Sequence, residues 1–343
     1  MKSGVSKSCL ISLLYLIVFS FFMSSCLENK NADKEQKEAD VEVVEVVEEE
    51  SKKENDWKKD NLFGKVKSLR YTAYLAKDRF GVIEKQGVSG VPGKDGNFLW
   101  VYNQQGYVTE ESNFNLDGSL KEKTIIKYDE RGNKLELLEY NSEGELNVRQ
   151  LYEIDERDNM IELRFNASGT SLDSVLVNKF IYDENDNEIE RHRYYPNGSL
   201  FIKRIYKYDD KGNCIEAKGY NAEGDIVETY TYKYDQRNNL IEDIAEYKND
   251  NTRGHRRVFK YDDNDVLIDR TYYKPDGSFH YRMVHEIDDK GINNESNQYD
   301  FAGNHLTKYT FEYELDEEGN WIKYIEFESG IPKYLTERVI EYF

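Results

Sequence analysis

From residue 98 to the C-terminus the chain repeats one pattern of apolar and polar positions. Segments of seven to nine residues rich in Tyr, Ile, Val and Thr alternate with short polar turns. In YKYDDKGNCIEAKGYNAEGD (206–225) an aromatic-x-Tyr-Asp segment end meets x-x-Gly-Asn. Ile-Glu, an aromatic residue and a second turn ending in Gly follow. The first anchor recurs at Tyr102, Tyr128, Ile154, Tyr182, Tyr208, Tyr234, Tyr261, Ile287 and Leu315, with spacings of 26 to 28 residues. Self-similarity at such a period marks a repeat architecture. β-Branched and aromatic segments bounded by tight turns mark antiparallel hairpins.

Turn chemistry explains the recurrence. An Asp follows the anchor in eight units, with Asn103 in the first, and such side chains bond the backbone two residues on. Three residues later stand Gly106, Gly132, Asp158, Asp186, Gly212, Asn238, Asp265, Gly291 and Gly319. Gly, Asn and Asp adopt positive φ most cheaply, so this site is predicted to be left-handed in every unit. The second turn carries Gly in eight units, and the sixth unit breaks form between Asn249 and Gly254.

Charge predicts the register. If the anchor faces the aliphatic residue seven later (Leu135, Ile161, Ile189, Ile215, Ile241, Ile268, Ile322), the residue before it faces the one eight after it. Lys127 then meets Glu136, Lys207 meets Glu216, Lys233 meets Glu242 and Lys260 meets Asp269, while Glu314 and Lys323 reverse the signs. The anchor and the aliphatic residue would form one apolar row. A second aromatic row, Phe114, Tyr140, Phe165, Tyr194, Tyr220, Tyr247, Tyr273, Tyr299 and Phe327, falls by simple alternation on the other face. That conflict requires a bulge or aromatics on both faces.

Nine repeats supply eighteen strands, about 85 Å of sheet at ~4.8 Å per strand. Open sheets rarely pass about ten strands without curling. The expected fold is all-β, a long twisted or coiled antiparallel sheet of tandem hairpins of about 26 residues, with a β-propeller as the alternative. Residues 61–97, including GKVKSLRYTAYLA, are expected to cap the sheet. LTERVIEYF is expected to close it as an edge strand open to pairing near Tyr342.

The N-terminus adds a location. Lys2 and Lys7 precede an apolar run from Cys9 to Met23, and Met23-Ser24-Ser25-Cys26 follows. This resembles a lipobox and makes residues 1–25 a lipoprotein signal peptide, with Cys26 the lipidated anchor. Residues 26–60 read as a charged flexible tether, with thirteen acidic and seven basic residues from 27 to 60. Residues 61–343 carry a net charge of −16. So acidic a body is expected to avoid nucleic acid.

The core Y-x-Y-D-x-x-G followed by an aliphatic residue, as in YKYDDKGNCI and IKYDERGNKL, resembles the YD-repeat (RHS-like) group over residues 98–343. It departs in having Asn after Gly. The whole layout is similar to lipoproteins of Bacteroidetes-type bacteria. The resemblance implies a β-sheet built of repeats, in which the motif is structural and not catalytic.

Little chemistry is legible. His192, His255, His280, His285 and His305 show no metal-ligand spacing, and DENDNE (183–188) lacks the Gly of a calcium loop. Neither a cofactor nor a metal is expected. An acidic ladder occupies one repeat position: Glu110, Glu136, Glu162, Glu190, Glu216, Glu242, Asp269 and Glu295. Glycoside hydrolysis needs only two such carboxylates, but a catalytic pair should stand out from the repeat, and none does. The expected function is a non-enzymatic binding or scaffold lipoprotein at the outer membrane, facing the surface or the periplasm, with a glycan or protein partner. The alternatives are an envelope glycosidase and a toxin-immunity-type protein.

Overall fold

A computed structural model describes residues 54–90, 96–166, 175–248, 250, 254–288 and 293–343. The signal peptide, Cys26 and most of the expected tether lie outside the described residues. The tether's end does not: Asp56–Lys59 form a helical turn, α1, capped by the Asn55 side chain.

Two strands precede the repeats, β1 (Val66–Arg79) and β2 (Val82–Val88). The nine repeats give β3 to β20, two strands each: β3 (Asn97–Tyr102), β4 (Val108–Phe114), β5 (Leu120–Tyr128), β6 (Lys134–Asn141), β7 (Leu146–Ile154), β8 (Met160–Asn166), β9 (Val175–Tyr182), β10 (Glu188–Tyr194) and β11 (Leu200–Tyr208). Then come β12 (Cys214–Tyr220), β13 (Ile226–Tyr234), β14 (Leu240–Tyr247), β15 (His255–Tyr261), β16 (Leu267–Tyr273), β17 (Phe279–Ile287), β18 (Asn293–Tyr299), β19 (His305–Leu315) and β20 (Trp321–Glu328). β21 (Ile331–Tyr342) ends the chain.

The sheet closes on itself, which corrects both the coiled open sheet and the propeller. β1 pairs with β21 from Val66 to Leu75 and with β3 from Ser68 to Thr72. Twenty strands thus form one antiparallel barrel. β2 is an extra strand that pairs with β1 from Tyr74 to Arg79. β21 is therefore not an edge: it lies between β20 and β1, and the Phe343 amide donates to the Lys65 carbonyl. Closure removes the edges that an open sheet would leave. Twenty strands at ~4.8 Å make a perimeter of about 96 Å, hence a backbone diameter of at least about 30 Å, and barrels that wide enclose a lumen.

The charge register holds in the repeats. Lys127 faces Glu136, Lys207 faces Glu216, Lys233 faces Glu242, Lys260 faces Asp269 and Glu314 faces Lys323. The expected partner of the anchor does not hold. Tyr128, Tyr208 and Tyr234 face Lys134, Cys214 and Leu240, six residues on, and a bulge inserts the seventh. Leu135 and Ile215 sit in these bulges, more than a third exposed, instead of joining an apolar row. The bulges also account for the aromatic conflict. Tyr140, Tyr220, Tyr273 and Tyr299 face Lys123, Lys203, Arg256 and Arg282 on the charged side, whereas Phe165 and Tyr247, displaced by one residue, face Gln150 and Glu228 on the other.

The predicted left-handed sites are positive in φ at Gly106, Gly132, Asp158, Asp186, Gly212, Asn238, Asp265 and Gly319; Gly291 lies outside the described residues. Asp129 Oδ1 accepts from the amides of Arg131 and Asn133, as turn chemistry requires. A further stitch joins successive repeats. Asn133, Asn159, Asn213 and Asn239 donate both to their own turn Asp and to the left-handed residue of the next turn. The hydroxyls of Tyr128, Tyr182, Tyr208, Tyr234 and Tyr261 donate to carbonyls 20 to 22 residues earlier, in the preceding repeat. Asn after Gly, where the resemblance departs, is thus the residue that ties repeat to repeat.

Among the described residues the largest apolar core sits at the seam. Trp57 of α1, Leu62, Val66, Leu69, Tyr102 and Val108 pack with Tyr71, Phe98, Trp100, Ile340 and Tyr342.

Candidate binding wall inside the barrel

Alternation divides each strand between the two faces of the barrel. Side chains crowd on a concave face, so the more buried set points inward. It includes Leu69, Ala73, Ile126, Phe180, Tyr206, Ala217, Tyr232, Asp243 and Ala245. The outward set carries the acidic ladder.

Every ladder carboxylate has a basic partner. Glu110 is paired with Lys123, Glu162 with Arg164 and Lys179, and Glu190 with His192 and Lys203. Glu136 lies between Lys127 and Arg149, Glu216 between Lys207 and Lys218, Glu242 between Lys233 and Arg256, and Asp269 between Lys260 and Arg282. Glu295 is paired with Lys308. Hydrogen bonds from the lysines hold Glu136, Glu216, Glu242 and Glu295 below the usual carboxylate range. Such groups stay ionised and are poor proton donors. A belt of charge on every repeat is also unlike the apolar band, about 25 Å tall, of a lipid-embedded barrel.

The inner wall differs from strand to strand. From β9 to β17 it presents arginines among aromatic rings. Arg191 makes a two-pronged bond to Glu188 at 2.8 and 2.7 Å, Arg204 bonds Glu228 at 2.5 Å, and Arg257 bonds Asp243. Burial opposes their charge, but these carboxylates raise all three pKa values. Arg193 and Arg270 have no such carboxylate, and the buried Nε of each lacks a hydrogen-bond partner. Burial, then the nearby Arg204 and Arg191, lower the pKa of Arg193. Arg270 reaches the Tyr272 hydroxyl at 2.7 Å, and Tyr272 stacks on Tyr281 with centroids 4.4 Å apart. At the seam, Arg338 lies 3.5 Å over the Trp321 ring, its Nε also without a partner, and burial pushes its pKa down to about 10.

The opposite stretch of wall is acidic. Glu111 and Glu139 both face Thr124, on β4 and β6 either side of β5, so their backbones stand about 10 Å apart. Burial raises both pKa values, and Glu122 adds to each. These carboxylates stand out from the repeat, and neither belongs to the ladder. They occupy two repeat positions, one and three residues after the ladder, and neither position holds a consistent residue.

The histidines divide. His280 and His285 lie on opposite faces of β17, as alternation requires, His280 exposed and His285 buried. Its Nδ1 is 2.8 Å from Ser296 Oγ, and burial, reinforced by Arg270, pushes its pKa down to about 4. Asp183 and Asp186 of DENDNE serve the turn and the repeat stitch. Among the described residues no group of three or more His, Cys, Asp or Glu side chains is arranged to hold a metal.

Neither a family model nor a curated protein matches the chain. It is similar to solved structures of porin-like proteins. That of Bacteroides uniformis has 8% identity and a TM-score of 0.33, over 80% of this chain and 96% of that one. That of Bacteroides vulgatus has 9% identity and a TM-score of 0.28, over 81% and 98%. A TcdB2-TccC3-TEV structure has 10% identity and a TM-score of 0.29, over 75% of this chain and 16% of that one. Likenesses this weak carry no functional argument.

Proposed function

We propose that the protein is a membrane-tethered, non-enzymatic binding protein, anchored through lipidated Cys26, that takes an acidic glycan against the arginine and tyrosine wall of its lumen. One observation carries this reading. Arg193 and Arg270 have buried Nε atoms without acceptors, while Arg191, Arg204 and Arg257 on the same wall are each matched to a carboxylate. A buried donor without an acceptor is costly, and a ligand carboxylate would satisfy it. Phe259 and the stacked pair Tyr272 and Tyr281 stand beside Arg270 on this wall, and aromatic rings of this kind can pack against a sugar.

Titration calorimetry with polygalacturonate and with neutral amylose tests the reading. Binding of the acidic polymer alone is expected, weakened about tenfold or more by Arg193→Gln and by Arg270→Gln, as loss of a charged hydrogen bond implies. Equal binding of both polymers, or none, sinks it. Fractionation of cells carrying Cys26→Ala tests the anchor separately: the membrane-bound share is expected to fall, and to survive a high-salt wash less well than that of the lipidated chain.

A second reading moves the glycosidase from the ladder to Glu111 and Glu139, because their raised pKa values suit an acid and base across a sugar. Hydrolysis of any polysaccharide, abolished by Glu111→Gln and by Glu139→Gln alike, would favour it over binding alone.

A further inference from the structure

The two rims of the barrel are unlike. The nine first turns, the four residues after each anchor, hold nineteen acidic and five basic residues. The second turns, on the opposite rim, hold seven acidic and three basic residues, counting residues 248–254 as the sixth. That second rim also projects large apolar side chains. Phe301 in the β18–β19 turn is 81% exposed, and Ile331 after the β20–β21 turn and Leu116 in the β4–β5 turn are more than half exposed. Between them the β1–β2 hairpin, built from strand beyond the barrel ladder, carries Phe80 at its tip, 106% exposed. Ladder order places these turns side by side around one arc, from β18 through β21 and β1 to β5.

Phe80 is the strongest sign. It holds φ +57 before Gly81 at φ +84, a two-residue turn whose first position suits Asn or Asp. A bulky residue there is strained, and no packing repays it, because the ring touches solvent on all sides. Lys77, Arg79 and Lys85 are exposed on the same hairpin, Arg79 paired with Glu84 and Lys85 with Glu337, so the tip is close to neutral in a body whose net charge is −16.

We infer that this apolar arc is a membrane-docking rim that dips Phe80 and Phe301 into the bilayer interface. Separate projecting tips without a groove suit a fluid surface better than a shaped protein partner. Repulsion between the first rim and anionic lipid turns the barrel the same way. The chain enters at the acidic rim, where the Asp56 amide donates to the Gly106 carbonyl. The 28 steps from Cys26 to Glu54 can span up to about 100 Å, ample to pass a barrel wall about 30 Å tall. The inference draws on the anchor only for orientation, so its test omits the anchor.

The test is flotation of the chain from residue 26 onward, carrying Cys26→Ala, with vesicles of phosphatidylethanolamine and phosphatidylglycerol. The protein is expected to float. Phe80→Ser with Phe301→Ser should cut the bound fraction by about tenfold or more. Phe63→Ser, an exposed phenylalanine on the acidic rim, should leave it unchanged. Failure of the parent chain to float, undiminished flotation of the double variant, or equal loss with Phe63→Ser overturns the inference. So does a photo-crosslinker at position 80 that captures an envelope protein from cells whose membranes the unlipidated chain does not bind.

Discussion

The seam and the repeat wall solve the same problem by different means. The wall is stitched: Asn amides, Tyr hydroxyls and bracketed carboxylates tie many of the repeats to their neighbours, and its buried apolar clusters are small. The seam keeps one such stitch, Asn320 donating to the Phe63 carbonyl and to the Tyr342 hydroxyl, but its strands β1 and β21 meet only after the whole circuit. It is joined by bulk, with α1 and eleven apolar side chains packed over the junction. Repetition can rely on many weak, directional bonds, whereas closure needs one strong, non-directional contact.

The contrast is broken most directly at the seam. Trp57→Ala and Leu69→Ala should each lower stability by about 3–5 kcal/mol in denaturant melts, as large-to-small core changes do. Glycine substitutions sharpen it next. At Gly106, φ +87, a Cβ would lie 2.6 Å from the Trp57 ring, whereas at Gly144, φ +81, nothing lies within 4 Å. Gly106→Ala should therefore cost well over the ~1 kcal/mol of backbone strain expected for Gly144→Ala.

The two regions should also respond oppositely to pH. At the seam, burial and then Asp56 push Asp60 up from 3.8 to about 6. The folded protein holds that proton more tightly, so the seam loses stability as pH rises from about 4 to about 6. In the wall, His285 falls from 6.5 to about 4, and stability is lost as pH drops through that window. Melting temperature against pH should lose its acid-side gain in Asp60→Asn and its acid-side loss in His285→Gln. The smallest effects belong to single stitches. Tyr208→Phe should cost about 1 kcal/mol. Lys207→Ala, an exposed pair, should cost a few tenths of a kcal/mol and less in high salt.

What the sequence made legible follows the same division. Turn φ values and the charged register are local, decided within nine residues of each anchor, and the pattern 98–343 specifies them nine times over. The bulge is also local, but an aliphatic residue reads alike whether it is packed or bulged, so Leu135 and Ile215 were placed in a row they do not form. Closure was illegible because GKVKSLRYTAYLA carries no copy of the repeat and LTERVIEYF only the start of one, ending on Tyr342, and their pairing spans more than 250 residues. The candidate wall was hidden for a related reason. Arg193, Arg270, Glu111 and Glu139 lie at positions where the repeat keeps no consistent residue, while the conspicuous ladder of glutamates turned out to face outward and be neutralised.

Because β1 and β21 stand outside the repeats, girth and closure are separable variables. Deleting one unit of about 26 residues would remove two adjacent strands and shorten the perimeter by about 10 Å, leaving the clasp untouched. Duplicating a unit would widen it by the same step. The molecule is built like a belt with a fixed buckle, and the bore of its lumen can be reset by whole links without redesigning how the ends meet.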